Sequence, residues 1–442
     1  MSRARLARAG SGLGWRGLVA GSALTLAAAA AGMAAAPPAQ AGVGIAAGSG
    51  TAAGSGTAAG SGAGPGSGAR SGTSAGSGSG ATTDTSATCG KATGPFRVSG
   101  TLVLGAGQKP FISYGITVPG LQGPDWTGYT ALDLQKITAT ASQWCANTVR
   151  LQLDQDELFG PDGFSVNQAY LAAIKAEVSL AEHDRLVVVL NDETNLSPSP
   201  AEYLERGPTY ATAMFWQVLA KLYGNDPQVI FDLFNEPRMY FAGMSQAQEW
   251  SLWLNGGLYR GVYYPFGMAQ LATYVRTTLG ARNLFWIEGP DYSASFAGMV
   301  QQHALLNVSG VVYALHHPAG QPGPTAWDDD FGYLVTDGVA PVVDGEWTNY
   351  EPAPTTSPKS PPTSCWSDAP AAVPEFLRWL ASNSIGLNAY QLQPGFLIRS
   401  YSTLAVPTTI NARTWSCQSS QETEPGQGAG SAVLAWFQQQ NS

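Results

Sequence analysis

Two glutamates stand where apolar runs end. Glu236 closes the run Val229-Ile-Phe-Asp-Leu-Phe-Asn235-Glu236-Pro237, and Glu346 closes Pro341-Val-Val-Asp-Gly345-Glu346-Trp347. Two carboxyls about 5–5.5 Å apart can cleave an acetal with retention of configuration: one attacks the anomeric carbon while the other protonates the departing oxygen. The first must be ionised and the second must hold its proton, and mutual repulsion with local hydrogen bonds pushes the two pKa values apart. Glu236 is read as the acid/base and Glu346 as the nucleophile. Glu288, which ends Trp286-Ile-Glu288, is the rival nucleophile, but its strand would lie beside that of Glu236 rather than across from it. Asp344 precedes Glu346 by two residues, so it is expected to point the same way, deeper, as a buried acid.

Such a pair needs a scaffold that brings distant strand ends together. Short apolar runs fall at 111–118, 148–153, 186–190, 229–235, 284–288, 311–316, 341–346 and 385–392. Helical patterns fall between and after them, at 131–144, 167–183 with Asn167 as N-cap, 210–223, 266–279, 294–302, 327–336, 371–382 and 432–439. Parallel strands buried on both faces read as near-continuous apolar runs. Eight strand–helix units predict an α/β fold, a single (β/α)8 TIM barrel, whose functional residues sit at the C-terminal ends of the strands. A doubly wound sheet would want a Gly-rich phosphate turn after its first strand, which Pro119-Gly120-Leu121 does not supply.

The polar residues at those strand ends are few: Arg150, Asp192 and Glu193, Asn235 and Glu236, Glu288, His316 and His317, and Glu346. No second histidine stands four residues from His316, so no metal site is expected. No Gly-x-Ser-x-Gly elbow occurs in residues 89–442, which speaks against an esterase. Of the 13 tryptophans, Trp126, Trp250, Trp253, Trp347 and Trp366 fall in segments after strands and are candidates to stack on sugar rings, Trp347 foremost.

Phe231-Asp-Leu-Phe-Asn235-Glu236-Pro237 resembles the signature of glycoside hydrolase family 5, which includes many endo-β-1,4-glucanases, and Gly345-Glu346-Trp347 resembles its nucleophile site. The resemblance spans about residues 105–395. It implies double displacement through a glycosyl-enzyme on Glu346, with no cofactor. It further implies that Arg150 supports the nucleophile, Asn235 bonds a sugar hydroxyl and His316 is the family's strand-6 histidine. Tyr313, Trp347 and Asp192 complete the expected substrate-binding set. The sequence departs from the family in three places: no histidine follows Leu190, Pro318 stands where an aromatic is common, and Gln391 follows Tyr390 where a tryptophan is common. A β-mannanase, exo-glucanase or transglycosylase, or a non-catalytic carbohydrate-binding barrel, remains open on these grounds.

Bulk properties agree with a polysaccharide or oligosaccharide partner. Of 442 residues, 44% are apolar and only 12% charged, enough for a large core. The net charge is −9, and residues 1–41 hold four arginines and no acid, so the remainder is more acidic still and would repel nucleic acid. Residues 1–41 read as a signal peptide ending at Ala39-Gln40-Ala41, with no membrane span after cleavage, and predict a secreted monomer. Residues 42–88 are almost wholly Gly, Ser, Ala and Thr and read as a flexible tether. An even count of four cysteines in an exported chain favours two disulfides. Of three possible pairings, Cys89–Cys145 with Cys365–Cys417 places one at each end of the domain.

Overall fold

The computed structural model describes residues 89–122, 131–160, 163–194, 206–317, 323–351, 364–404, 406–417 and 426–441. The expected signal peptide and tether, 1–41 and 42–88, lie outside these residues, as do Trp126, Pro318 and most of the Pro-rich insert after Tyr350. Within them, eight parallel strands close a barrel in chain order: β1 (Tyr114–Val118), β2 (Thr148–Asp154), β3 (Val187–Thr194), β4 (Val229–Asp232), β5 (Phe285–Glu288), β6 (Val311–Leu315), β7 (Val342–Trp347) and β8 (Gly386–Ala389). The expected barrel is the fold observed.

Alternation along each strand sorts residues into two cores. On β2, Val149, Leu151 and Leu153 face outward into the layer shared with the surrounding helices. Facing inward on other strands, Val187, Val189, Ile230, Leu284, Trp286, Val312, Ala314 and Val343 fill the barrel. Phe96 and Phe111, with ring centroids 4.5 Å apart, pack against that inner core. They belong to a segment that forms a small antiparallel sheet, Arg97–Ser99, Leu102–Leu104 and Pro110–Phe111. An apolar floor therefore occupies one end of the barrel, and the inward polar residues gather at the other.

Four expected elements are corrected. The run 111–118 is divided: Phe111 pairs with Val103 in the floor sheet, and the barrel strand begins at Tyr114. Residues 294–302 form turns rather than a helix, because Tyr292, Ser293 and Gly298 all adopt positive φ. The helices expected at 266–279 and 327–336 are interrupted by π turns at Tyr274–Thr278 and Asp328–Gly332.

The expected Cys89–Cys145 disulfide is present. Beside it, Asn441 Nδ2 donates to the carbonyls of Gly90 (2.9 Å) and Cys145 (2.7 Å), so both ends of the domain are fastened together. Cys417 is disulfide-bonded, while the side chain of Cys365 lies outside the described residues. No described helix is long and apolar enough to cross a membrane.

One buried acid sits in the helical layer. Glu177, on the helix Gln168–His183, is wholly buried and accepts a hydrogen bond from Thr138 on the helix Ala131–Gln143. Burial raises its carboxyl from 4.5 to about 7. The native state then binds more protons than the unfolded chain between those values, so stability falls as pH rises through that window. Urea unfolding at about pH 5 and about pH 8 should show Glu177→Gln losing less stability than wild type on alkalinisation, by up to about 3 kcal/mol. Equal losses in both proteins would refute this assignment.

Candidate active site

The polar end of the barrel is organised around Arg150. It lies on the inward face of β2 and is fully buried. Its Nε donates to Asp232 Oδ2 on β4 at 2.9 Å. Its Nη2 donates to Asn235 Oδ1 at 2.6 Å and to Glu288 Oε1 on β5 at 3.2 Å. Its Nη1 donates to Glu346 Oε2 on β7 and lies 3.8 Å from Glu193 Oε2 on β3. One planar cation thus holds carboxylates from four strands, a task suited to the fixed fork of a guanidinium.

Glu236 and Glu346 meet here. A carboxylate oxygen of each and a ring nitrogen of His316 all lie within 4.8 Å of one another. That spacing fits the close pair of a retaining mechanism rather than a wider pair with water between. Glu236 has φ 46°, a left-handed conformation uncommon outside glycine. Its backbone N–H donates to Glu288 Oε2 at 2.5 Å, and its Oε1 lies 3.0 Å from His316 Nδ1. His316 Nε2 is in turn 3.2 Å from Glu288 Oε1. Glu288 is fully buried and bonds Arg150, His316 and the Glu236 backbone together. The rival nucleophile is therefore enclosed, placed to position the others.

A bulge aims Glu346. Asp344 pairs with Leu387 and Trp347 with Ala389, so β7 carries one residue more than β8 over that interval. Both partners face the outer layer, so Asp344 and Trp347 do too, and Gly345-Glu346 takes the inner side. A bulge re-aims side chains in this way. A second bulge, between the pairs Leu153–Asp192 and Asp154–Thr194, leaves Glu193 as the extra residue on β3.

Charge crowding shapes the titration of the cluster. Burial pushes the Glu346 carboxyl up, while His316 and Arg150 pull it back. Burial and the neighbouring Glu346 hold Glu193 well above the usual carboxylate range. Asp232 is pushed up to about 7, by burial and then by Glu288, against the opposing pull of Arg150. Burial alone would lower the His316 imidazolium, but Glu288 and Glu346 outweigh it and raise it well above an ordinary histidine. These groups titrate as one set. Glu236, His316 and Glu346 could in geometry hold a cation among the described residues. The Arg150 charge already seated on Glu346 opposes a second one there.

The structure brings together Arg150, Asn235, Glu236, Glu288, His316 and Glu346. It does not bring Tyr313, Trp347 or Asp192 to them. Tyr313 faces outward, with its hydroxyl accepting from the Leu306 N–H and its ring against Phe296. Trp347, carried outward by the bulge, is fully buried against Trp366 and Phe376. Asp192, on the outer face of β3, accepts from Gln155 Nε2 at 2.6 Å. Trp250, Trp253 and Trp366 are buried as well, and Trp253 Nε1 donates to the Glu288 carbonyl. Asp344, likewise outward, accepts from the His317 N–H at 3.4 Å instead of lying beneath Glu346.

Three residues at the site escaped the sequence. Asp232 and Gln152 follow from alternation once Arg150 is placed inward on β2, and Gln152 Nε2 reaches Glu346 Oε2 at 3.3 Å. Tyr390 is the third. It feels Glu346, Glu193 and Glu236 and bonds Gln122. Gln391, by contrast, is buried and donates to Gln393. The aromatic residue at the end of β8 is thus Tyr390.

Comparison with known proteins agrees with this geometry. The family model described as Cellulase (glycosyl hydrolase family 5) matches residues 104–393. A β-glucanase from Saccharophagus degradans aligns with a TM-score of 0.54 at 16% identity, covering 79% of this chain and 93% of that one. An endoglucanase from Thermobifida fusca, solved with cellotetraose, aligns at 0.51 and 16%, covering 78% and 97%. A β-mannanase from Streptomyces thermolilacinus aligns at 0.47 and 18%, covering 67% and 84%. Among curated proteins none matches.

Removing the central cation should cost stability as well as activity. Arg150→Met leaves Asp232 and Glu288 buried with no guanidinium, and should lower the unfolding free energy in urea by about 3–5 kcal/mol. Arg150→Lys should recover part of this. A Met variant as stable as wild type would show that the acids do not depend on Arg150.

Proposed function

The chain belongs to glycosyl hydrolase family 5, and on that premise we propose that it is a secreted, endo-acting β-glucanase with Glu346 as nucleophile and Glu236 as acid/base. As a member of the family it is a retaining O-glycosidase. The observation that carries the residue assignment is the approach of Glu236, His316 and Glu346 within 4.8 Å at the open end of the barrel.

Glu346 accepts hydrogen bonds from Arg150 and Gln152 on one oxygen, Oε2. That fixes the carboxylate and leaves Oε1 to attack the anomeric carbon. Glu236 delivers a proton to the glycosidic oxygen as the bond breaks. The same carboxylate then removes a proton from water, which attacks the glycosyl-enzyme and restores Glu346. His316 and Glu288 hold Glu236 in place through its carboxylate and its backbone N–H. The carbonyl oxygen of Asn235 is committed to Arg150, so its amide nitrogen is the group left to donate to a sugar hydroxyl. Tyr390 offers an aromatic face to the sugar ring.

A β-1,4-glucan is the favoured substrate, supported by the two neighbours with the better structural agreement, both glucanases. Export rests on the apolar leader and its small-residue cleavage site. A product that begins at Gly42, identified by N-terminal sequencing of protein from the medium, is the expected result.

Incubation with a 2-deoxy-2-fluoro β-cellobioside should leave a stable adduct on Glu346, located by peptide mapping. Adduct on Glu193 or Glu288 would overturn the assignment. Glu236→Ala should lose about 100- to 10,000-fold in rate on unactivated glycosides. Azide should restore turnover of an activated aryl glycoside, with a β-glycosyl azide as product.

A further inference from the structure

The backbone that follows Glu236 runs along the rim and is zipped to the loop after β5. Tyr292 N–H donates to the Pro237 carbonyl at 3.1 Å, and Met239 N–H to the Pro290 carbonyl at 2.9 Å. Arg238 and Asp291 pair as an isolated antiparallel bridge. The result is a short two-stranded ribbon that starts at the proposed acid itself. Met239 is fully buried and roots it. Arg206 Nη1 donates to the carbonyls of Arg238 (3.2 Å) and Tyr240 (3.3 Å) and braces it from the side.

This ribbon carries two tyrosines to the surface. Tyr240 is 36% exposed and Tyr292 43% exposed. Their ring centroids are 6.2 Å apart with planes tilted by 60°, so each ring presents its own face. The Arg238 guanidinium lies 5.9 Å from the Tyr292 centroid, another restraint on that ring. Exposed aromatic rings on a braced backbone lose little entropy when a ligand covers them.

Their position gives them a ligand. Protonation by Glu236 requires the departing oxygen to lie against that carboxylate, so the sugar it belongs to must extend past Glu236, away from Glu346. The ribbon begins on that side. Beside Tyr292, the Ser293 carbonyl accepts from the His316 N–H at 2.9 Å, which sets the ribbon against the histidine that holds Glu236. We propose that Tyr240 and Tyr292 form a leaving-group subsite that stacks against one or two pyranose rings on the reducing side of the bond to be cleaved. The inference rests on the glycosidase reading above and adds to it where the departing chain is held.

The test separates substrates by their leaving groups. β-Cellobiosyl fluoride expels fluoride, which reaches no sugar subsite, whereas cellohexaose expels an oligosaccharide. The double variant Tyr240→Ala/Tyr292→Ala should lose roughly 10-fold or more in kcat/KM on cellohexaose, and less than about 2-fold on the fluoride. Tyr240→Phe/Tyr292→Phe should behave as wild type on both, since stacking needs the ring and not the hydroxyl. Equal loss on both substrates, or no loss on cellohexaose, would overturn the subsite. A wild-type enzyme inert toward both substrates would refute the β-glucanase reading, and the subsite with it.

Discussion

A single buried guanidinium sets the terms for the rest of the site. Asp232 and Glu288 have no access to water, and Glu193 and Glu346 have little. Four carboxyls gathered so closely could not all ionise without compensation. Arg150 reaches every one of them and also fixes Asn235. Its contacts fan out from one plane, as hydrogen bonds to β4, β5 and β7 and an ion pair to Glu193 on β3, and so dictate where those strand ends stand relative to β2. The precision needed for two acids to act on one sugar is inherited from that plane. Burial first, and the surplus of negative charge second, raises the carboxyls of Glu193 and Asp232 above the ordinary range.

The apolar floor is the second half of the arrangement. Phe96 and Phe111 close one end of the barrel against Trp286 and its neighbours. Charged residues inside a barrel are tolerated only where they bond one another or meet solvent. Filling the lower half with Val, Ile, Leu and Trp therefore confines polar side chains to the upper layers. Glu288 belongs to both parts of this design: its strand contributes Trp286 to the floor core, and its carboxylate supports Glu236 above.

Much of this was legible in the chain because it depends on periodicity. The eight strands read as apolar runs, and Asn235-Glu236-Pro237 at a strand end singled out a glutamate that the fold brings close to Glu346. Reading failed where a local backbone event changes which way a side chain points. Strict alternation placed Asp344 under Glu346 and left Trp347 free to stack, but the bulge in β7 moved both behind the sheet. Gly345 within a strand was the available signal. The expected helix at 294–302 failed for a similar reason, since its composition suits a helix but its backbone turns at Gly298. Trp250, Trp253 and Trp366 could not be separated from sugar-binding aromatics by sequence, because a buried ring and an exposed one look alike until the helices dock.

The bulge in β7 also decides which face of the strand Glu346 occupies. Between Asp344 and Trp347 the strand spends one residue more than its neighbour, and a Cβ on Gly345 would approach Ala314 Cβ to 3.1 Å. Removing Gly345 would restore an uninterrupted ladder, a gain for the sheet considered alone. Straightening the ladder with Gly345 retained would instead turn the glutamate to the helix side and bring a bulky indole toward the mouth. The defect in the ladder is thus what keeps chemistry and packing on opposite sides of one strand.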